Sequence, residues 1–119
     1  MPSILQKKFY GSVKVFWLNR EAAFTSLKKI ARKIKKENKN IEAIYLFGSL
    51  AEGRATPRSD ADVLILLKHS EKRFMDRPLD FMDYFAEFPL AVDLFCYTVE
   101  ESKSSNFVSK ILRKGIKLA

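Results

Sequence analysis

The sequence predicts an α/β (α+β) domain in which a small β-sheet is flanked by α-helices. Three segments, Ile41 to Phe47, Ala61 to Leu67 and Leu90 to Tyr97, are short and almost continuously apolar, the pattern of strands covered on both faces. From about Asn19 to Asn38 the apolar residues instead recur every third or fourth position, as they do in an amphipathic helix. With 119 residues and no repeat, low-complexity tract or Pro/Gly/Ser-rich linker, the chain reads as one domain, 1–119, able to bury a single core.

Residues 1–18 are the least determinate. Val13 to Leu18 contains Val15, Phe16 and Trp17, which suits a short strand or the approach to a helix. Phe9, Tyr10, Phe16 and Trp17 suit packing on the sheet, with an interface as the alternative. In the helix that follows, Ala23, Phe24, Leu27, Ile30, Ala31 and Ile34 form the apolar stripe. Asn19 is placed to cap it, Glu21 suits its positive end, and Lys35 and Lys36 suit its negative end. Further on, Arg73 to Phe88 mixes Phe74, Leu79, Phe81, Met82, Phe85 and Phe88 with charge. Pro78 and Pro89 punctuate it, so a broken helix ending before Pro89 is expected. Phe81, Tyr84, Phe85 and Phe88 recur at helical spacing and are assigned to the core. A last amphipathic helix, from Val99 or Ser104 to about Leu118, is expected to turn Phe107, Val108, Ile111, Leu112 and Ile116 inward.

Hydrophobic residues make up 47% of the chain and charged residues 30%, which excludes the disordered and fibrous classes. No stretch approaches a membrane span. The first ten residues carry Lys7 and Lys8 without an apolar run of signal-peptide length. The expected location is therefore the cytoplasm, with no membrane partner. Cys96 is the single cysteine, so no intrachain disulfide framework exists, and it reads as a small buried hydrophobe. His69, alone in a polar turn, reads as solvent-exposed. The net charge of +8 favours anionic partners without choosing among nucleotides, nucleic acid and acidic protein surfaces. The lysines from Lys28 to Lys36 suit a solvated outer face first and a nucleic-acid contact second.

Chemistry is concentrated at three places. In Leu46-Phe47-Gly48-Ser49-Leu50-Ala51-Glu52-Gly53 a buried strand runs into a tight turn and a short helical turn. Gly48 lets another group approach the backbone, and Ser49 with Glu52 three residues later has the form of a capping box. Such a turn suits a phosphate, with the Ser49 hydroxyl as donor, but also suits a plain helix cap. In Ser59-Asp60-Ala61-Asp62-Val63-Leu64-Ile65 two aspartates enter an apolar strand two residues apart, so both carboxylates point to one face. Crowding two anions raises at least one pKa unless a cation relieves it. Hard oxygen ligands with room for water and phosphate suit Mg2+. The alternative is Asp60 in the preceding turn and Asp62 paired with Arg54 or Arg58. Asp93, inside Leu90-Ala91-Val92-Asp93-Leu94-Phe95-Cys96-Tyr97, has no reason in β-propensity to be an acid. If its strand neighbours that of Asp62, three carboxylates converge and can bind two cations, with Asp93 preparing an acceptor hydroxyl. Otherwise Asp93 is the partner of a buried lysine or arginine.

The order Gly48-Ser49, ten residues, Asp60-Ala61-Asp62 and a later apolar-flanked Asp93 resembles the signature of the nucleotidyltransferase superfamily. The run from Gly48 through Arg54, Arg58 and Ser59 to Asp62 is similar to the minimal nucleotidyltransferases (MNT), and the resemblance covers roughly Ile41 to Tyr97. It implies a DNA polymerase β palm-like nucleotidyltransferase fold, a small mixed sheet flanked by helices. It also implies a Gly48-Ser49 turn that binds the triphosphate of ATP or another nucleoside triphosphate. Asp60, Asp62 and Asp93 are then catalytic residues and ligands of Mg2+, two ions with bound nucleotide. Many such proteins are antitoxins of a small helical HEPN protein, and some transfer AMP from ATP onto a tyrosine of that partner. The expectation is accordingly a nucleotidyltransferase that moves AMP onto a hydroxyl of a protein acceptor. A HEPN-type partner or a second copy of the chain, in a homo-oligomer, would complete the site. The rival reading is a catalytically silent binding module that neutralises a partner by occlusion.

Overall fold

The computed structural model of the protein describes residues 4–10, 13–56 and 59–119, and of strand residues 5–10 and 13–18 the backbone alone. Two strands, β1 (Leu5–Tyr10) and β2 (Val13–Leu18), form an antiparallel hairpin. The segment Val13 to Leu18 is thus a strand. The side chains of Phe9, Tyr10, Phe16 and Trp17, and their expected role in packing or an interface, lie outside the described residues, as does Arg58. Helix α1 (Arg20–Glu37) follows. Asn19 caps it as expected, its side-chain Oδ1 accepting from the Ala22 N–H at 3.1 Å, with Glu21 in the first turn and Lys35 and Lys36 in the last.

The central sheet has the order β5-β4-β3-β6. Its members are β3 (Ile41–Phe47), β4 (Ala61–Leu67), β5 (Val92–Thr98) and β6 (Ile116–Lys117). β3 runs antiparallel to both β4 and β6, whereas β4 and β5 are parallel, so the sheet is mixed. Ala23, Leu27, Ala31 and Ile34 of α1 are buried against one face, with Ile44, Leu46, Val63, Ile65 and Cys96. Full burial of a Leu or Ile side chain contributes about 2 kcal/mol, so this layer dominates the stability. On the other face Leu64 packs with Val108 and Ile111, bordered by Tyr45, Phe47, Phe95 and Tyr97. His69 is exposed and Cys96 is buried. Burial pushes the Cys96 thiol up to about 12, which leaves it an inert core residue.

Two expected helices take other forms. Arg73 to Phe88 forms two 3-10 turns, Phe74–Asp80 and Met82–Phe85, rather than a broken α-helix. Pro78 has no N–H to sustain an i→i−4 ladder, and the closing bonds are i→i−3, as from Phe81 N–H to Pro78 O at 3.0 Å. Phe81, Phe85 and Phe88 are buried, whereas Tyr84 is half-buried and donates to Glu37 at 2.7 Å. The C-terminal segment divides into α3 (Val99–Ser102), α4 (Asn106–Lys114) and β6. Val108 and Ile111 face inward as expected, but Phe107 and Leu112 are 42% and 39% exposed. Ile116 leaves the helix because it pairs with Leu46. Gly115 permits the exit, since a Cβ there would stand 2.6 Å from Ile111 O and 3.0 Å from Leu46 O.

The parallel β4–β5 crossover is pinned by a residue that local pattern does not reveal. Arg77 is 6% exposed. Its guanidinium donates to Lys72 O, Cys96 O and both carboxylate oxygens of Glu101, at 2.6–3.1 Å. Glu101 also accepts from the Thr98 N–H while the Thr98 hydroxyl accepts from the Glu101 N–H, a capping box. The Arg77 guanidinium, with help from the Thr98 N–H, holds the Glu101 carboxyl down at about 2. An acid held below its unfolded value contributes stability above the unfolded range, and this is lost as pH falls towards the folded pKa. Glu101→Gln is therefore expected to cost about 2 kcal/mol at neutral pH, less than at a fully buried pair because the Glu101 side chain is 42% exposed. In urea titrations the gap to the native protein should close between about pH 5 and about pH 2. A gap independent of pH would assign the loss to packing instead.

Candidate active site

Strand register brings the expected site residues to one end of the sheet. Phe47, the last residue of β3, pairs with Asp62 of β4, and Asp62 lies directly in register with Asp93 of β5. Alternation along the strands puts Asp62 with Leu64, and Asp93 with Phe95 and Tyr97, so both belong to the α4 face of the sheet. Asp60 is exposed in the residues leading into β4, Asp62 is half-buried and Asp93 is exposed. Burial, then the Asp93 and Asp60 charges, raise the Asp62 carboxyl above the usual aspartate range. All three acids therefore share one electrostatic environment, with Asp62 at its centre.

The turn after β3 is built around Asp62. Gly48 has φ +77°, and a Cβ there would overlap Oδ2 of Asp62 and stand 3.2 Å from its Cγ. Only glycine meets both demands cheaply. Helix α2 (Gly48–Glu52) begins at this residue, with Phe47 in the N-cap position and no side-chain cap. Ser49 thus lies inside the helix, half-buried, and the expected Ser49–Glu52 capping box does not form. Glu52 pairs with Arg54 instead. A capping box does form at Thr98 and Glu101, where the same three-residue spacing stands in the sequence.

Of the alternative partners for the acids, two are otherwise engaged, and Arg58 lies outside the described residues. Arg54 is with Glu52, and the buried Arg77 is with Glu101. Among the described residues no cationic side chain pairs with Asp60, Asp62 or Asp93. Nor does any group of three His, Cys, Asp or Glu side chains there form a ready-made metal cage. A half-buried carboxylate beside two others, with no ion-pair partner among the described residues, fits Mg2+, which is typically held by one or two carboxylates and completed by phosphate and water. A groove of about 860 Å³ between α1 and the second 3-10 turn, lined by Lys29, Lys33, Tyr84 and Phe88, contains none of these residues.

Residues 28–119 match the family model described as polymerase beta, nucleotidyltransferase. The chain belongs to this nucleotidyltransferase family. The nucleotidyltransferase fold is shared with a candidate nucleotidyltransferase from Sulfolobus solfataricus, 21% identical over 82% of this chain and 80% of that one, with a TM-score of 0.62. A toxin-antitoxin structure with AMP-PNP is 22% identical over 77% and 72% of the two chains, with a TM-score of 0.57. The toxin-antitoxin MntA-HepT is 20% identical over 80% and 70%, with a TM-score of 0.51. No curated protein matches the chain. Among the described residues of this nucleotidyltransferase no helix is long and apolar enough to cross a membrane.

The polar network of this nucleotidyltransferase includes residues that sequence reasoning missed. Arg77 and Glu101 carried one local signal, the capping-box spacing of Thr98 and Glu101. Arg20, which reaches the carbonyls of Leu50 and Ala51, carried none, because its partners are remote in sequence.

Proposed function

We propose that the chain transfers AMP from Mg-ATP onto a hydroxyl of a protein acceptor, as the antitoxin of a pair whose toxin is a HEPN-type protein. The observation that carries this reading is the register of Asp62 with Asp93, beside a Gly48 turn packed on the Asp62 carboxylate. The AMP-PNP and MntA-HepT structures that share the fold support the choice of nucleotide and partner.

Asp60, Asp62 and Asp93 are the side chains that would hold Mg2+, and the Gly48-Ser49 turn would hold the triphosphate. Bound Mg2+ neutralises phosphate charge and lowers the pKa of the attacking hydroxyl. Asp93, exposed at the strand edge of the site, orients that hydroxyl and accepts its proton. The acceptor oxygen forms a bond to the α-phosphorus as the bond to pyrophosphate breaks, and pyrophosphate leaves. Asp62, set between the other two acids, keeps the site's negative charge where cation binding is most rewarded.

Thermal unfolding with and without Mg2+ and ATP tests the nucleotide site. At about a hundred times the dissociation constant, ligand adds roughly 2.7 kcal/mol to the native chain, and this is expected to vanish in the Asp60→Asn, Asp62→Asn double variant. Transfer of label from α-labelled ATP to a co-expressed HEPN-type partner tests the acceptor. Full neutralisation of that toxin by the double variant, with no AMP attached, would replace this reading by occlusion.

A further inference from the structure

We propose that Arg20 is a positioning residue that holds the Gly48-Ser49 turn in its nucleotide-binding shape from outside the site. This inference rests on the nucleotide reading of that turn. The guanidinium donates from Nε to Leu50 O at 3.2 Å and from Nη2 to Ala51 O at 2.6 Å. Both carbonyls belong to α2, which is only five residues long. A helix of that length does not sustain itself, and its last carbonyls have no intrahelical partner. Arg20 supplies the partner and places a positive charge at the negative end of the helix dipole.

The location of the charge adds a second argument. Arg20 is the first residue of α1, where the dipole of its own helix disfavours a cation. The same charge is favourable with respect to the dipole of α2. The guanidinium also lies over the Phe24 ring, 4.7 Å from its centroid, a cation–π contact that restricts its rotamers. The arrangement therefore ties the α2 backbone to the largest helix of the fold. Since Gly48 is packed on Asp62 at the opposite end of α2, holding one end of this single turn sets where the other end stands. Arg20 acts on the site through α2, because Nε and Nη2 both donate to α2 carbonyls.

Calorimetric titration of Mg-ATP into native, Arg20→Met and Arg20→Lys proteins tests this, together with hydrogen exchange of the amides of residues 48–53 in the absence of nucleotide. Arg20→Met is expected to weaken Mg-ATP binding about tenfold, the loss of two charge-assisted hydrogen bonds partly offset by water. Its unfolding temperature should stay near native, because α1 loses an unfavourable charge at its N-terminus. Exchange in 48–53 should quicken, and Arg20→Lys should recover part of both effects with its single ammonium. Unchanged affinity in Arg20→Met overturns the proposal whatever the exchange shows. If the native protein itself binds no Mg-ATP, the functional reading fails, and unchanged exchange in 48–53 then overturns the clamp separately.

Discussion

Asp62→Asn is expected to stabilise the ligand-free protein while abolishing Mg2+-dependent nucleotidyl transfer. The two effects share a cause. Burial and the charges of Asp93 and Asp60 raise the Asp62 carboxyl, so ionising it costs more in the folded chain than in the unfolded one. A folded pKa above the unfolded one means that the group costs stability increasingly as pH rises from the unfolded value and fully above the folded one, and asparagine removes that cost. The same negative charge is what a divalent cation requires. Losing a cation worth several kcal/mol of transition-state stabilisation corresponds to about a thousandfold or more in rate. Melting curves without ligand, and transfer assays with labelled ATP and the HEPN-type partner, check the two halves. A variant that is less stable than native in the absence of metal, or that transfers AMP at the native rate, sinks the assignment of Asp62 as the centre of the site.

Gly48→Ala carries the second largest expected effect. At φ +77° an L side chain costs about 1 kcal/mol or more from backbone sterics alone. The added methyl also overlaps Asp62 Oδ2, so either the carboxylate rotates away or the turn opens. Together these are expected to cost roughly 2 kcal/mol of stability and to eliminate the shift in unfolding temperature produced by Mg-ATP. The double variant Gly48→Ala, Asp62→Ala separates the two contributions, because removing the carboxylate relieves the overlap but leaves the dihedral cost. Coupling of the two substitutions in denaturant titrations is the expected result. Strict additivity would mean that Gly48 serves the turn alone and that its packing on Asp62 is incidental.

Local pattern was enough for much of the architecture. The apolar stripe of α1, its Asn19 cap and the three central strands were legible because period and capping are properties of consecutive residues. The Gly48-Ser49, Asp60-x-Asp62 and Asp93 positions were legible for a related reason. Each is an exception to its surroundings, a glycine at a strand end or an acid in an apolar run, and exceptions stand out in one dimension.

Tertiary structure alone decided what those exceptions do to one another. Parallel pairing of β4 with β5 sets Asp62 against Asp93, and no spacing along the chain specifies a register between segments that far apart. The departures from expectation have the same origin. Ile116 leaves its helix because Leu46 offers a strand partner, and Glu101 binds Arg77 because the crossover brings them together. Arg20 finds α2 because helix and turn pack side by side. Preferences for strand, helix or cap are written in neighbouring residues. Which distant residues meet was settled by pairing and packing, because those contacts depend on the whole chain closing around one core.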